Sequence, residues 1–486
     1  MADHTLLNLH ITLNTNKMKN IYKSFLVLSS FLLIITSCSK DPILEQDPFV
    51  IAFDNLSLNI QNISDQENIK LIYSNTANEN STLVIEVTNN IAVYGVDYLT
   101  IPAAENNRIT IPINKGESQK TFTFKKLNPN LMGNDVFINF KIIEITHATS
   151  SIQGNSNLLL NSSASIGGDF EPEVGGPNEG NQVFVDLSNQ TSTVIQRDTW
   201  DLGFYCGNEF RVSLNGSIFM ATKATNYTDI DTVPESVLTN MQTEVLVSNG
   251  NPENANYVDA INGDVTETAI DEISETDSEN KVYLLNMGSK IGLYTPNTGS
   301  VDMQGSFRGW KKIRILKNGD GYTLQYANIE DTTHQEIFIA KDNLYNFIHF
   351  SFDTENTVDI EPQKDNWDLC FAPFTYVISN PAYGSYIYSD FIIHNRKGNV
   401  ASYQQSNTNE LNYDNFELTD VNETNFTNDQ TTIGSNWRNI FTRSVYNDRF
   451  YILKDPDDNY YKIKFTALVN QDGVRGFPQF EYTILE

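Results

Sequence analysis

Histidine is the side chain that most often moves protons or binds metals near neutral pH, and this chain contains few of them. Of its six histidines, those beyond the N-terminal region each stand alone in sequence: His147, His334, His349 and His394. No G-x-S-x-G, P-loop, H-E-x-x-H or strand-linked G-x-G-x-x-G motif is found. The sequence therefore predicts a non-enzymatic protein in which His334, His349 and His394 are hydrogen-bonded structural residues.

A run of acids at Asp455, Asp457 and Asp458 offers oxygen ligands of the kind that calcium prefers. It lies between two strand-like segments, and so does the similar turn at residues 318–321, so a hairpin turn explains both. In the N-terminal region, the loop that would bind calcium in related modules carries one carboxylate, Asp135. We therefore predict no metal site.

Two cysteines, Cys206 and Cys370, lie at different offsets after two Trp-Asp dipeptides. The offsets predict that their side chains leave opposite faces of their strands. A disulfide between them and two separate core thiols are both open at this point.

Three tyrosines, Tyr383, Tyr386 and Tyr388, cluster in one strand-like segment. Tyr386 and Tyr388 are two residues apart, so they share a strand face and form a possible stacking platform for a flat ligand or a sugar. A half-buried strand with wet hydroxyl groups explains the same pattern.

The strands that position these residues recur along the chain. Trp200-Asp201-Leu202 with Phe204 returns as Trp367-Asp368-Leu369 with Phe371, and residues 315–322 are echoed by 452–460 as strand, turn and strand. The Asp beside each Trp is expected to accept a neighbouring backbone N–H. Two units follow, a first unit at 181–343 and a second unit at 344–486. One enlarged fold with chance similarities is the alternative. Residues 226–280 are expected to be loops with a short helix near 235–246.

The surroundings of these repeats resemble the HmuY family, lipoproteins of the Bacteroidetes outer membrane that capture haem. The resemblance covers about 181–486. The matching residues are Trp200-Asp201, 210–216, Thr232-Val233-Pro234, 450–454 and 461–465. It implies an antiparallel β fold and a haem held by His or Met on loops.

The usual pair of histidine ligands is absent at the matching places, since 235–333 and 395–486 contain no His. Met287 and Met303, both near turns, are the candidate haem ligands, and a thioether ligand predicts tighter binding of ferrous haem. Positive charges that follow closely would hold the propionates. These are Arg308, Lys311 and Lys312. The competing hypothesis is a surface adhesion or glycan-binding protein on the same fold, without haem.

The N-terminus predicts export and lipidation. A basic start at Met18 and an apolar run at 24–36 form a lipoprotein signal peptide, residues 18–37, that ends at Cys38 in a sequence resembling the bacterial lipobox. Cys38 is the predicted acylation site and 38–48 a tether. Residues 1–17 precede the natural start and are interpreted as a mis-annotated extension. Nearby acids favour the cell surface of the outer membrane over the periplasm.

Residues 49–166 alternate as strands do and predict an antiparallel β-sandwich. Tyr94-Gly95-Val96-Asp97-Tyr98 and residues 111–118 resemble Calx-beta and related immunoglobulin-like modules, which implies a spacer. The Gly- and Pro-rich residues 167–180 are expected to form a linker.

The formal charge of -29, from 61 acidic and 32 basic residues, excludes nucleic acid as a natural partner. The sequence as a whole predicts an all-β protein: an N-terminal antiparallel sandwich followed by a duplicated HmuY-like antiparallel region. Its expected partners are the outer membrane through the lipid anchor, haem or haemoproteins, and a TonB-dependent receptor.

Overall fold

The structure is a computed structural model that describes residues 48–60, 63–129, 131, 136–161, 166–379 and 382–485. The predicted extension, the signal peptide and Cys38 lie outside these residues, as does Asp135. Strands dominate the described chain, and the all-β prediction is confirmed.

The N-terminal domain is a sandwich of two sheets, ordered β1-β3-β7-β5 and β2-β9-β8-β4-β6, in which β2 and β9 pair in parallel. Its strands are β1 Ile51–Phe53, β2 Ser57–Asn59, β3 Gln66–Tyr73, β4 Ser81–Asn89, β5 Tyr98–Ile101, β6 Arg108–Ile113, β7 Gln119–Lys126, β8 Phe137–Ile145 and β9 Asn157–Asn161. Alternation drives the packing, since β6 buries Ile109, Ile111 and Ile113 and exposes the residues between them. Phe122 of one sheet contacts Phe140 of the other, with ring centroids 5.3 Å apart.

The C-terminal region contains four larger sheets. Their orders are β14-β13-β20-β21, β15-β16-β17-β18-β19, β12-β11-β22-β23 and β10-β29-β28-β27-β24. The elements are β10 Gly167–Phe170, β11 Asn181–Asp186, β12 Thr191–Gln196, β13 Leu202–Tyr205, β14 Val212–Leu214, β15 Ala221–Ala224, α1 Glu235–Met241, β16 Val282–Asn286, β17 Trp310–Asn318, β18 Gly321–Ala327, β19 Gln335–Ile339, β20 Phe347–Ser351, β21 Asn356–Val358, β22 Leu369–Ser379, β23 Ala382–His394, β24 Ala401–Ser406, β25 Arg438–Asn439, β26 Ser444–Val445, β27 Arg449–Lys454, β28 Tyr460–Val469 and β29 Arg475–Ile484. The short helix expected near 235–246 is α1.

The two units exchange their N-terminal hairpins. Hairpin β11–β12 of the first unit pairs with β22 of the second, with Val185 opposite Leu369. Hairpin β20–β21 of the second unit pairs with β13 of the first, with Phe350 opposite Leu202. Each apolar core therefore contains residues of both units. We call this arrangement the reciprocal exchange.

A short connection explains the exchange. If β11 paired with β13 of its own unit, β12 and β13 would run parallel and be joined by residues 197–201 alone. Crossovers between parallel strands need about a dozen residues or more. Because the connection is too short, the hairpin pairs with the other unit instead.

The predicted linker is partly a strand. Residues 167–170 form β10, which pairs with the end of β29, and Gly167 lies opposite Thr483. A Cβ atom on Gly167 would lie 2.5 Å from the carbonyl oxygen of Tyr482, and the residue has φ +138°. Glycine is thus needed for close backbone pairing here, not for flexibility.

The hairpins at 315–322 and 452–460 are strand-turn-strand elements as predicted, but their equivalence is wrong. β17 and β18 are third and fourth in their sheet, whereas β27 and β28 are second and third in theirs, counted from β15 and β24. β16 therefore occupies the place of β27. The turn at 455–459 corresponds to the much longer segment 287–309.

Candidate functional site: a cavity between the two units

The two Trp-Asp dipeptides hold the exchanged hairpins. The carboxylate of Asp201 accepts a hydrogen bond from the backbone N–H of Phe352 at 2.7 Å, and that of Asp368 accepts one from Leu187 at 2.8 Å. Phe352 comes directly after β20 of the second unit, and Leu187 comes directly after β11 of the first unit. Each donor therefore belongs to the exchanged hairpin, and each acceptor to the unit that receives it. The sequence-based expectation that these acids bond to neighbouring backbone is confirmed, and the bonds cross between units.

An asparagine fixes the turn before each dipeptide. Asn215 Nδ2 donates to the carbonyl oxygens of Arg197 and Trp200 at 2.8 and 2.9 Å. Asn395 makes the equivalent bonds around Trp367. Both asparagines are fully buried. They orient the two tryptophans, and sequence analysis did not identify them.

The two aspartates differ in charge compensation. Asp201 forms an ion pair with Arg308 at 2.5 Å, and both side chains are buried. Burial raises the pKa of Asp201, and the Arg308 guanidinium opposes that rise. Asp368 has no ion pair with a basic residue in the described part of the chain. Burial, together with nearby Asp186, raises its pKa well above the usual range.

A cavity of about 180 Å³ lies between the two units, and both dipeptide tryptophans line it. The apolar part of its wall contains six large aromatic side chains. It includes Phe184, Trp200, Phe347, Trp367, Phe374 and Phe391. Because the wall combines β11, β20, β22 and β23, the reciprocal exchange creates the cavity.

Five charged residues from three segments also line the cavity: Asp259, Asp264, Glu361, Arg396 and Lys397. Burial raises the pKa of Glu361 to about 8 and that of Asp259 to about 6. Burial lowers the pKa of Lys397 to about 8, against the opposing charge of Glu361. The Lys397 ammonium lies 5.3 Å from the ring centroid of Phe347. Within the described residues it makes no hydrogen bond and no ion pair within 4.0 Å.

Two further groups on the wall lack partners. The Nε2 of His394 and the Nε1 of Trp367 are buried and form no hydrogen bond with any residue that the structure describes. The Nδ1 of His394 shares a hydrogen bond with Ser402 Oγ at 2.9 Å. Burial lowers the pKa of His394 to about 4, so its ring is neutral. By contrast, the indole N–H of Trp200 donates to Gln182 at 3.1 Å.

Substitution Glu361→Gln is expected to change how stability depends on pH. The pKa of Glu361 is about 8 in the folded chain and lower when unfolded. Its contribution to stability is therefore present at low pH and lost as pH rises towards about 8. Glu361→Gln removes that loss and keeps the acceptor for the Phe347 N–H. Relative to wild type, the variant should gain more than about 1 kcal/mol between about pH 5 and about pH 7.5.

Urea unfolding at both pH values measures this difference. Glu355→Gln, at an exposed turn, is the matched control and should follow the wild type. Parallel pH profiles for Glu361→Gln and wild type would contradict the assignment of Glu361 as a buried, mostly protonated group.

The residues predicted to hold haem lie apart from this cavity. Met287 is buried in the core of the first unit, and its carbonyl oxygen accepts from Arg308 at 3.2 Å. Met303 is partly buried, and its carbonyl accepts from Arg197 at 2.5 Å. Arg308 is paired with Asp201, so it is not a free partner for a propionate.

The two predicted lysines are also engaged. Lys311 donates to Asn328 at 3.2 Å, and the buried Lys312 donates to the carbonyl of Asp331 at 2.5 Å. Among the described residues, these lysines and the two methionines do not meet in one open slot. The assignment of this segment to haem stays a prediction.

The remaining residues singled out by the sequence have structural contacts. Cys206 and Cys370 are both buried and free, so the disulfide alternative is wrong. His334 contacts Asp231 at 2.9 Å, as expected for a structural histidine. His349 packs edge-on against Trp200 with centroids 4.5 Å apart, and it lines the cavity. Asp455 accepts from Asn459 in a hairpin turn, and the described residues contain no cluster of three metal-ligating side chains.

The tyrosines form a ladder that leads towards the cavity. Tyr383 and Tyr386 are each 38% exposed. Successive ring centroids lie 5.9 Å apart for Tyr383 and Tyr386, 5.3 Å for Tyr386 and Tyr388, and 6.1 Å for Tyr388 and Phe391. Phe391 stacks on Phe374 at 4.7 Å. The ladder therefore joins an exposed surface to the cavity wall.

A family profile described as "HmuY protein" matches residues 178–342 and 343–482. This double match confirms the duplication. No curated protein matches the chain.

Solved structures show only weak likeness. The apo form of the Calx CBD1 domain has 8% identity and a TM-score of 0.19, covering 24% of this chain and 97% of that domain. A putative carbohydrate binding protein from Bacteroides ovatus has 6% identity and a TM-score of 0.15, covering 71% of this chain and 80% of that one. Neither score supports a functional argument. The Calx-beta resemblance of the N-terminal domain stays a prediction.

Proposed function

The chain belongs to the HmuY family, and on that premise we propose that it is a non-enzymatic protein that captures haem or a related porphyrin for uptake. The observation that carries the proposal is the family match over both units. HmuY proteins form a binding family and not an enzyme family.

The cavity between the units does not fit a porphyrin. Its volume is about 180 Å³, whereas sites for drug-sized ligands measure roughly 300 to 1,000 Å³. Capture of haem by this chain therefore requires a binding site other than this cavity. We retain the 287–309 segment for that role, with Met287 and Met303 as axial ligands. Binding there requires Met287 to leave the core and Arg308 to exchange Asp201 for a propionate.

Haemin titration tests this assignment. We expect a saturable Soret shift that strengthens on reduction, because thioether sulfur favours ferrous iron. The double variant Met287→Ala, Met303→Ala should lose the reduced-state spectrum. Met241→Ala, on helix α1, is the matched control and should retain it.

A further variant, His394→Ala, separates the alternatives. Loss of the spectrum in His394→Ala but not in the double methionine variant would move the haem to the cavity and contradict the methionine assignment. No saturable shift with wild-type protein, oxidised or reduced, would remove the haem proposal altogether.

We further propose that the protein is anchored at the outer-membrane surface through acylated Cys38 and passes its cargo to a TonB-dependent receptor. Among the described residues, no helix has the length and apolar character to cross a membrane. Cys38→Ala should shift the protein from the membrane fraction to the soluble fraction or leave it unprocessed, as shown by fractionation and by labelling with radioactive palmitate. Ser39→Ala is the control. Membrane fractionation of Cys38→Ala equal to wild type would contradict the lipid anchor.

The second candidate function is glycan binding by a surface adhesin, and the tyrosine ladder favours it. Exposed tyrosines stack on the apolar faces of sugars. Under this alternative, Tyr383→Ala with Tyr386→Ala abolishes binding to immobilised glycans and leaves the haem titration unchanged.

A further inference from the structure

We propose that the cavity between the two units is a binding site for a small aromatic carboxylate, with its ring against the aromatic wall and its carboxylate facing Lys397 and Trp367. This site is separate from the haem site proposed above and does not depend on it. The argument uses the cavity's size, its wall and its unpartnered polar groups.

The size sets the ligand class. An apolar protein cavity of about 150 Å³ holds one benzene molecule. The cavity here, at about 180 Å³, has room for a single ring with one small substituent. Larger sugars and porphyrins are excluded by the same comparison.

The wall suits a ring. Phe184, Trp200, Phe347, Trp367 and Phe374 all line the same cavity. Aromatic pairs in offset or edge-on arrangements gain free energy beyond the burial of apolar area. An aromatic ligand therefore gains more here than an aliphatic one of equal volume.

The polar groups call for an acceptor. The buried indole N–H of Trp367 has no partner in the described structure, and an unsatisfied buried donor costs about 1–3 kcal/mol. The Lys397 ammonium is also without a hydrogen bond or close ion pair, and it lies over the ring of Phe347. A carboxylate satisfies a cation and a neutral donor together.

The two units differ in the partner of the indole N–H of their dipeptide tryptophan. Val185 lies opposite Leu369 and Phe350 lies opposite Leu202, so the registers make position 347 the counterpart of 182. Gln182 accepts the indole N–H of Trp200. Phe347 has no acceptor to offer Trp367. Because the second unit has Phe347 where the first unit has Gln182, the indole N–H of Trp367 has no acceptor among the described residues, and the cavity wall has one more aromatic ring.

Benzoate is the probe, titrated into the full chain by calorimetry and followed by tryptophan fluorescence. We expect saturable binding. Benzyl alcohol, which has the ring but no charge, and benzylammonium, which has the opposite charge, should bind at least about tenfold more weakly, since a desolvated charge-assisted contact is worth about 1.4 kcal/mol or more. Equal binding of benzoate and benzyl alcohol would overturn the assignment of the carboxylate.

Two variants locate the site. Lys397→Met should weaken benzoate binding at least about tenfold, and Trp367→Phe, which keeps a ring and removes the N–H, about fivefold. Lys454 lies on β27, outside the cavity, so Lys454→Met should bind benzoate as wild type does. Thermal unfolding checks that each variant is folded, and the comparison of probes on wild type stands if Lys397→Met does not fold.

The alternative is a cavity that holds ordered water only. In that case no saturable heat or fluorescence change appears up to benzoate concentrations on the order of 10 mM, and the proposal is wrong. Benzoate binding that is unchanged in both Lys397→Met and Trp367→Phe would place the ligand elsewhere and overturn it equally. Neither result bears on the haem titration, so failure of one proposal is distinguishable from failure of the other.

Discussion

A C-terminal region cut between residues 343 and 344 is expected to give two fragments that do not fold alone and that fold when mixed. Fragment 166–343 lacks β20–β21, the partner of β13, and fragment 344–486 lacks β11–β12, the partner of β22. Neither can use its own hairpin because the connection to the next strand is too short. Each fragment would leave part of an apolar core exposed to water, and the net stability of a domain is small enough for this loss to unfold it.

Circular dichroism and amide NMR spectra of the fragments, separate and mixed, measure this effect. A fragment of residues 197–360 is the matched control, because it keeps β13 together with β20 and β21. We expect it to show dispersed amide signals by itself. Dispersed signals from 166–343 alone as a monomer would contradict the role of the reciprocal exchange.

Substitution Asp201→Asn is expected to destabilise the C-terminal region by about 3 kcal/mol, because removing one partner of a buried ion pair leaves the other charge uncompensated. The side chain of Arg308 is 3% exposed, and its other carboxylate contact, with Asp353, is longer at 3.4 Å. Urea unfolding followed by tryptophan fluorescence gives the free energy of unfolding.

The counterpart Asp368→Asn is the control that the duplication provides. Asp368 has no ion pair with a basic residue in the described part of the chain, and it accepts one backbone N–H, so the amide leaves no buried cation uncompensated. We expect a change within about 1 kcal/mol at neutral pH. Burial raises the folded-state pKa of Asp368, which means that stability is lost as pH rises, so Asp368→Asn should lose less stability than wild type as the pH is raised. Equal losses for the two variants at neutral pH would contradict the difference in charge compensation.

Local patterns made much of the fold predictable. Alternation in segments such as 108–113 identified strands, and the repeat of Trp-Asp-Leu identified the duplication, because both signals lie within a few residues. The pairing of the strands was not predictable in this way. Val185 and Leu369 are far apart in sequence, and nothing near either residue specifies its partner. The shared sequence Ile-Leu-Lys at 315–317 and 452–454 led to the wrong alignment of the units.

The candidate site was less predictable than the fold. Its charged residues come from three separate segments, with no motif that relates the segments: Asp259 and Asp264, Glu361, and Arg396 with Lys397. Isolated charges in a chain with 61 acids carry little information. A usable signal did exist in the repeat, since aligning the two hairpins by register would have shown Phe347 where the first unit has Gln182. The methionines were predicted as ligands because they lie near turns in a segment without histidine, yet a place near a turn does not distinguish a ligand from a core residue such as Met287.

The reciprocal exchange also dictates an order of events during synthesis. Protein chains emerge N-terminus first, so hairpin β11–β12 is complete long before β22 exists, and Val185 must wait for Leu369. The first unit, closed by β20–β21, can form in the meantime. Until β22 arrives, β11 offers an unpaired strand edge on which other chains can assemble. A nascent chain halted before residue 369 therefore carries an open strand edge on which aggregation can begin.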